Sequence, residues 1–162
     1  MIKIKSFGTR ISSIGDYSFA DCDKLSVVNL TENIKNVGDY AFANCTKLST
    51  VNIFDKNTTV LLDFVGSHAF ENTDLKDIVL QLRGSSYDTS FGEYCFANCK
   101  ALTAVTFSKS TSTAAHMFDG CSMLQNVTFN DTHGYVSEYA FKDCINLASI
   151  EFPPCTWGIG NH

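Results

Sequence analysis

A chain of 162 residues is one domain's worth, and folding at this length buries roughly 70% of the unfolded chain's surface. The formal net charge of −5, with charged residues at only 18% and no run of Lys or Arg, argues against nucleic acid or an anionic membrane as partner, since both need a basic patch. The longest apolar stretch, around Val60, Leu61 and Leu62, stops at Asp63, far short of the ~20 residues that span a bilayer.

The chain opens with Ile2 and Ile4 alternating as strand residues do, so residues 1–10 read as an extra N-terminal rung. This opening lacks the long apolar run and small-residue cleavage site of a secretory signal, which leaves a cytoplasmic chain and a piece of a longer array both open. From about residue 11 to 153 one pattern then occurs six times. It runs from an apolar residue, often followed by Gly, to a Phe, a Cys three on, a Leu three further, and two apolar residues separated by one. The copies are Phe19-Cys22-Leu25-Val28-Leu30, Phe42-Cys45-Leu48-Val51-Ile53, a degenerate Phe70-Thr73-Leu75-Ile78-Leu80, Phe96-Cys99-Leu102-Val105-Phe107, Phe118-Cys121-Leu124-Val127-Phe129 and Phe141-Cys144-Leu147-Ile150-Phe152. Phe-to-Phe spacings of 23, 28, 26, 22 and 23 fall within the leucine-rich-repeat period. After Pro153-Pro154, which blunts the edge, residues 154–162 form a tail expected to be loose or tied down only by Trp157.

Each copy reads as one supersecondary unit. The closing Leu-x-x-Val-x-apolar segment alternates with period 2, giving one short strand. The opening segment, such as Gly38 to Cys45, sets Phe and Cys three apart, which keeps both on the inner side of one helical or 3₁₀ turn. No copy holds enough apolar residues for its own core. The fold expected over 1–162 is therefore a single-domain α/β solenoid, with one short parallel strand plus a short helical or 3₁₀ turn per repeat, closed only by stacking.

The phrases Ile14-Gly-Asp-Tyr-Ser-Phe19, Val37-Gly-Asp-Tyr-Ala-Phe42 and Phe91-Gly-Glu-Tyr-Cys-Phe96, each followed by x-x-Cys-x-x-Leu-x-x-Val-x-apolar, resemble the BspA-like class of leucine-rich repeats. That resemblance implies a right-handed curved array, found mostly on cell-surface and secreted proteins of bacteria and protists, where it serves adhesion and binding of host proteins. Departures are the Pro after the strand, present only as Pro153, and the repeat Gly, replaced by Ala114 and Ser137 in the last two copies.

Within each strand, the residues between the inward apolar ones face outward. They form two columns on the concave face: Val27, Thr50, Asp77, Ala104, Asn126 and Ser149, and Asn29, Asn52, Val79, Thr106, Thr128 and Glu151. Six such strands at roughly 4.8 Å make a sheet about 24 Å across, wide enough for a helix or an extended partner segment. The longer links at Phe54 to Phe64 and Gln81 to Thr89 fall on one rim, where Phe54 and Tyr87 are the candidate aromatic anchors. Of the sequons at Asn29, Asn44, Asn57, Asn126 and Asn130, only Asn57 lies in a clear loop.

Five of the seven cysteines (Cys22, Cys45, Cys99, Cys121, Cys144) share one inward position and read as small apolar filler. Cys95 replaces an Ala of other copies. Cys155 in the tail is the reactive candidate, able to link two chains, and self-association through the solenoid ends is the other route. There is no second Cys pair at zinc spacing, so no metal site is expected. Tyr17, Tyr40, His68, Tyr94, His116 and Tyr139 form a column two residues before each Phe and read as stacked rings. That accounts for both histidines structurally, because a catalytic His needs a nucleophile and an orienting acid that the repeat does not supply consistently. No phosphate-binding, nucleophile-elbow or zinc-protease motif occurs, so neither an enzyme nor a cofactor is expected. The sequence thus reads as a protein-binding module, an adhesin or surface ligand-binding protein for a host surface or matrix protein or a neighbouring cell. The alternative is an intracellular scaffold.

Overall fold

The computed structural model describes residues 2–54, 62–80, 91–107, 112–130, 135–152 and 158–160. Asn57, Tyr87, Pro153, Pro154, Cys155 and Trp157 lie outside them. In chain order the strands are β1 (Ile2–Ile4), β2 (Ser13–Ile14), β3 (Leu25–Val28), β4 (Asn36–Val37), β5 (Thr50–Val51), β6 (Phe64–Val65), β7 (Asp77–Leu80), β8 (Ala104–Phe107), β9 (Asn126–Phe129), β10 (Tyr135–Val136), β11 (Ser149–Glu151) and β12 (Gly158–Ile159). Every pairing is parallel.

A rung carries two strands, not the one expected. The closing strands build the sheets β1-β3-β5 and β11-β9-β8-β7. The apolar residue before the repeat Gly ends a second, two-residue opening strand, and these form β2-β4-β6 and β10-β12, with Phe91 bridged to Val65 between them. The tail is correspondingly not loose at Gly158–Ile159, which pair with β10. Ile159-Gly160 repeats the Ile14-Gly15 motif, so the same local code lays down another opening strand. At Gly92 the rungs approach closely enough to exclude a side chain: a Cβ there would overlap the backbone nitrogen of Ser67.

The helical or 3₁₀ turn is the larger correction. Between the two strands the chain runs as linked turns, and the described 3₁₀ segment, Asn52–Phe54, sits after β5 instead. Alternate amides explain why. Ala41, Ala43 and Cys45 donate to the carbonyls three residues back, as in a 3₁₀ turn, but Tyr40, Phe42 and Asn44 donate to Ser67, Ala69 and Glu71 of the next rung at 2.8–2.9 Å. A helix would use all of these amides internally. Two residues per rung, moreover, take left-handed backbone, with φ of 54° at Tyr40 and 59° at Asn44. The same pair recurs at Tyr17/Asp21, His68/Asn72, Tyr94/Asn98, His116/Gly120 and Tyr139/Asp143. Asn, Asp and Gly tolerate that conformation best, which is why they recur just before the Cys position.

Side chains stack in register with the backbone. The repeat phenylalanines form one column, with ring centroids 5.3 Å apart for Phe19–Phe42 and Phe42–Phe70, 5.6 Å for Phe70–Phe96 and Phe96–Phe118, and 5.5 Å for Phe118–Phe141. A shorter column runs Phe107–Phe129–Phe152. The cysteines are more than filler: the thiols of Cys45, Cys99, Cys121 and Cys144 donate to the carbonyls of Phe19, Phe70, Phe96 and Phe118 one rung earlier, at 3.1–3.3 Å. Thr73 keeps a hydroxyl at that position and bonds Phe70 O at 2.9 Å and the Cys99 thiol at 3.2 Å. Cys22, expected inside, is exposed, because no rung with that turn precedes it among the described residues.

Burial pushes the Cys45 thiol up to about 11 and that of Cys144 to about 12, and raises Cys95 well above its ordinary value. A thiol whose folded pKa is raised favours the fold below its unfolded pKa and disfavours it as pH rises toward the folded value. Above about pH 8.5 the unfolded chain ionises while the folded one does not. Urea melts should therefore show stability falling through the alkaline range, by about 1.4 kcal/mol per pH unit for each such thiol. Phe96 is fully buried between Phe70 and Phe118, so Phe96→Ala should cost about 3–5 kcal/mol in the same assay at neutral pH.

Candidate functional site

The outward columns of the closing strands come together as expected in the larger sheet. Register aligns Asp77, Ala104, Asn126 and Ser149 in one row and Val79, Thr106, Thr128 and Glu151 in the next. These eight side chains are exposed or half-buried, while Ile78, Val105, Val127 and Ile150 between them point to the core. Two polar contacts link neighbours on this face: Thr103 Oγ1 donates to Asp77 Oδ1 at 2.6 Å and Ser149 Oγ to Asn126 Oδ1 at 3.0 Å. Thr106 and Thr128 lie side by side at the middle of the panel.

The six strands do not make one continuous sheet. β5 is the edge of one sheet and β7 of another, so Val27 and Thr50 sit in a smaller panel with β1 and β3. The larger panel spans four strands, roughly 14 Å at 4.8 Å per gap. β7, β8, β9 and β11 run on through Val79, Thr106, Thr128 and Glu151, whereas β1, β3 and β5 stop one position earlier and the chain after β5 turns into the 3₁₀ segment Asn52–Phe54. The Asn52 side-chain amide accepts from Leu30 N at 2.8 Å and donates to Leu30 O at 2.8 Å. Asn52 thus clips the backbone of Leu30, and Asn29 is its half-buried neighbour in the same short panel. Of the rim anchors, Phe54 closes the 3₁₀ segment and Tyr87 lies outside the described residues.

The second outward feature is the ring ladder. Tyr17, Tyr40, His68, Tyr94, His116 and Tyr139 stack nearly parallel at centroid distances of 4.8, 4.4, 4.9, 4.4 and 4.8 Å. Contrary to the sequence reading, each histidine does have an acid: His68 Nδ1 lies 2.7 Å from Glu71 Oε2 and His116 Nδ1 2.8 Å from Asp119 Oδ2. The signal was present three residues on, where the Tyr copies carry Ala20, Ala43, Ala97 or Lys142. The rings bury their faces against one another, leaving edges outward. Sequence reasoning also missed Phe64 and Tyr135, exposed on the opening strands; in two-residue strands alternation gave no warning.

Among the described residues no group of three or more His, Cys, Asp or Glu could hold a metal ion, and no helix is long and apolar enough to cross a membrane. The candidate site is a ruled surface of two side-chain rows on a four-stranded panel. Its repeat code can be placed: the BspA type Leucine rich repeat region matches in six copies, over residues 2–91 and 63–162. The chain belongs to the BspA-type leucine-rich repeat family. Solved structures agree with this BspA-type fold. A leucine-rich repeat protein from Bacteroides ovatus is 26% identical with a TM-score of 0.80, over 98% of this chain and 39% of that one. The T. pallidum leucine-rich repeat protein TpLRR is 23% identical with a TM-score of 0.79, over 96% and 72%. The pneumococcal vaccine antigen PcpA is 18% identical with a TM-score of 0.60, over 93% and 42%. The chain thus spans well under half the length of the Bacteroides ovatus protein. A search of curated proteins finds no match. Leucine-rich repeat solenoids of this kind are generally protein-interaction modules.

Because Asn52 serves both backbone groups of the buried Leu30, Asn52→Ala should lower stability by about 1–3 kcal/mol. Chemical denaturation checks this; an unchanged midpoint would show that water replaces the clip.

Proposed function

We propose that this chain is a noncovalent protein-binding module whose ligand lies across the larger sheet panel, and that it acts at the cell surface or in secreted form as an adhesin or ligand-binding protein. The observation that carries the reading is the flush pair of rows from Asp77 to Ser149 and from Val79 to Glu151. The two central strands, β8 and β9, are paired on both sides, so the side chains on them are preorganised and binding costs little ordering entropy. The small Thr, Asn, Ser and Ala residues let a partner's backbone or helix approach closely. Their mixed hydrogen-bonding capacity favours a protein over an apolar ligand. BspA-type repeats belong typically to surface and secreted bacterial proteins, which supports the compartment.

A second reading, an intracellular scaffold, draws on one observation. The six described cysteines are all free thiols, as in reducing compartments.

The test is a binding measurement with any partner captured from surface or matrix proteins. Thr106→Arg or Thr128→Arg, both at outward positions, should each weaken binding by about tenfold or more while leaving the melting midpoint near that of the parent. Unaltered affinity in both variants would move the site off this panel, to the opening strands with Phe64 and Tyr135 or to the rim.

A further inference from the structure

The two polar contacts on the larger panel each orient a group. Thr103 Oγ1 donates to Asp77 Oδ1 at 2.6 Å, which holds the carboxylate in one orientation and leaves Oδ2 to accept from elsewhere. Ser149 Oγ donates to Asn126 Oδ1 at 3.0 Å, so the oxygen of that amide is engaged and Nδ2 is the end offered to a ligand. Asp77 and Asn126 are exposed, and Ala104 between them is half-buried. The row therefore presents a fixed anionic acceptor, a methyl group and a fixed donor. Lys76, exposed beside Asp77, makes no ion pair with it among the described residues.

We propose that the partner segment on this panel is an α-helix crossing the strands, with an Arg or Lys over Asp77 and, seven residues away, a Gln or Asn whose side-chain oxygen accepts from Asn126 Nδ2. This rests on the panel being the binding face and adds what that face takes. Spacing selects the helix. Asp77, Ala104 and Asn126 stand in register on β7, β8 and β9, which sets the two fixed groups roughly 9.6 Å apart at 4.8 Å per strand. In a helix, residues seven apart return to the same face after nearly two turns, about 10.5 Å along the axis. In an extended segment one face repeats at about 6.7 Å and 13.4 Å, and neither matches. Ala104 lies under the intervening turn, where a larger side chain would lift the helix off both groups. Charge selects the cation, because a carboxylate only accepts and a hydrogen bond from Arg or Lys to it is roughly twice as strong as a neutral one. Thr103 and Ser149 are positioning residues: they order both groups before the partner arrives, so that ordering is not charged to binding.

The probe is an alanine-rich helical peptide of about 20 residues with Arg and Gln seven apart, titrated into the isotope-labelled chain and followed by NMR. One control peptide sets the pair five apart, on different faces of the helix; another carries Glu in place of Arg. The expected result is saturable shifts centred on Asp77, Ala104 and Asn126 with the first peptide, and binding about tenfold weaker with each control. Asp77→Lys should transfer the preference to the Glu peptide, a gain that misfolding does not produce. Thr103→Val keeps every charge on the panel and should weaken binding of the Arg peptide severalfold, with the resonances of the remaining rungs in place. Equal binding at either spacing, a preference that Asp77→Lys does not reverse, or indifference to Thr103→Val would each overturn the proposal. A captured partner that is lost on Thr106→Arg or Thr128→Arg, while the helical probe fails these tests, would overturn the helical partner and leave the panel as the binding face.

Discussion

Everything in this molecule depends on one distance, the roughly 5 Å between successive rungs. Parallel strands set it at about 4.8 Å. Aromatic rings accept it, since offset-stacked faces prefer centroid separations of 4.5–7 Å, and the observed columns lie between 4.4 and 5.6 Å. A thiol reaching back to the preceding carbonyl at 3.1–3.3 Å satisfies the same spacing. Backbone, ring and thiol therefore enforce one period, and a residue type that suits one rung suits the next.

That shared period also explains how aromatic residues come to occupy left-handed backbone. Tyr and His at φ of 54–57° each carry a conformational cost of about 1–2 kcal/mol. The geometry in turn frees alternate amides for the next rung and lines the rings up. Stacking returns about 0.5–1.5 kcal/mol per pair beyond area burial, and the inter-rung hydrogen bonds add to it. A lone rung would gain neither. The strain is tolerable only in an array, which is the energetic content of a solenoid.

Much of this was legible in the residues. Phe, Cys and Leu at fixed offsets announced the stack, and the alternation of Val105 and Phe107 with Ala104 and Thr106 assigned inward and outward faces correctly. The Phe-to-Cys spacing of three was misleading, because it fits a 3₁₀ turn and a chain of turns equally well. What separates them is the Asp, Asn or Gly before each repeat Cys or Thr, a left-handed marker that reads as surface variation unless the copies are aligned. The sheet break was not visible either, since Asn52 occupies a strand position by pattern, and only its bonds to Leu30 reveal the turn. The acids beside His68 and His116 lay in the copies but one turn away from where a column search looks.

The gap between β5 and β7 makes the stack mechanically uneven. Elsewhere in the two closing-strand sheets, neighbouring rungs are riveted by strand pairing as well as by turns. Across this junction the closing strands do not pair, and among the described residues the load passes through the opening strands β4 and β6, the turn amides, the stacked rings and bonds such as that from Asp74 N to Leu48 O. Tension along the array will part it here first, leaving two blocks that can each re-zip. Parting there would leave the four-strand panel whole.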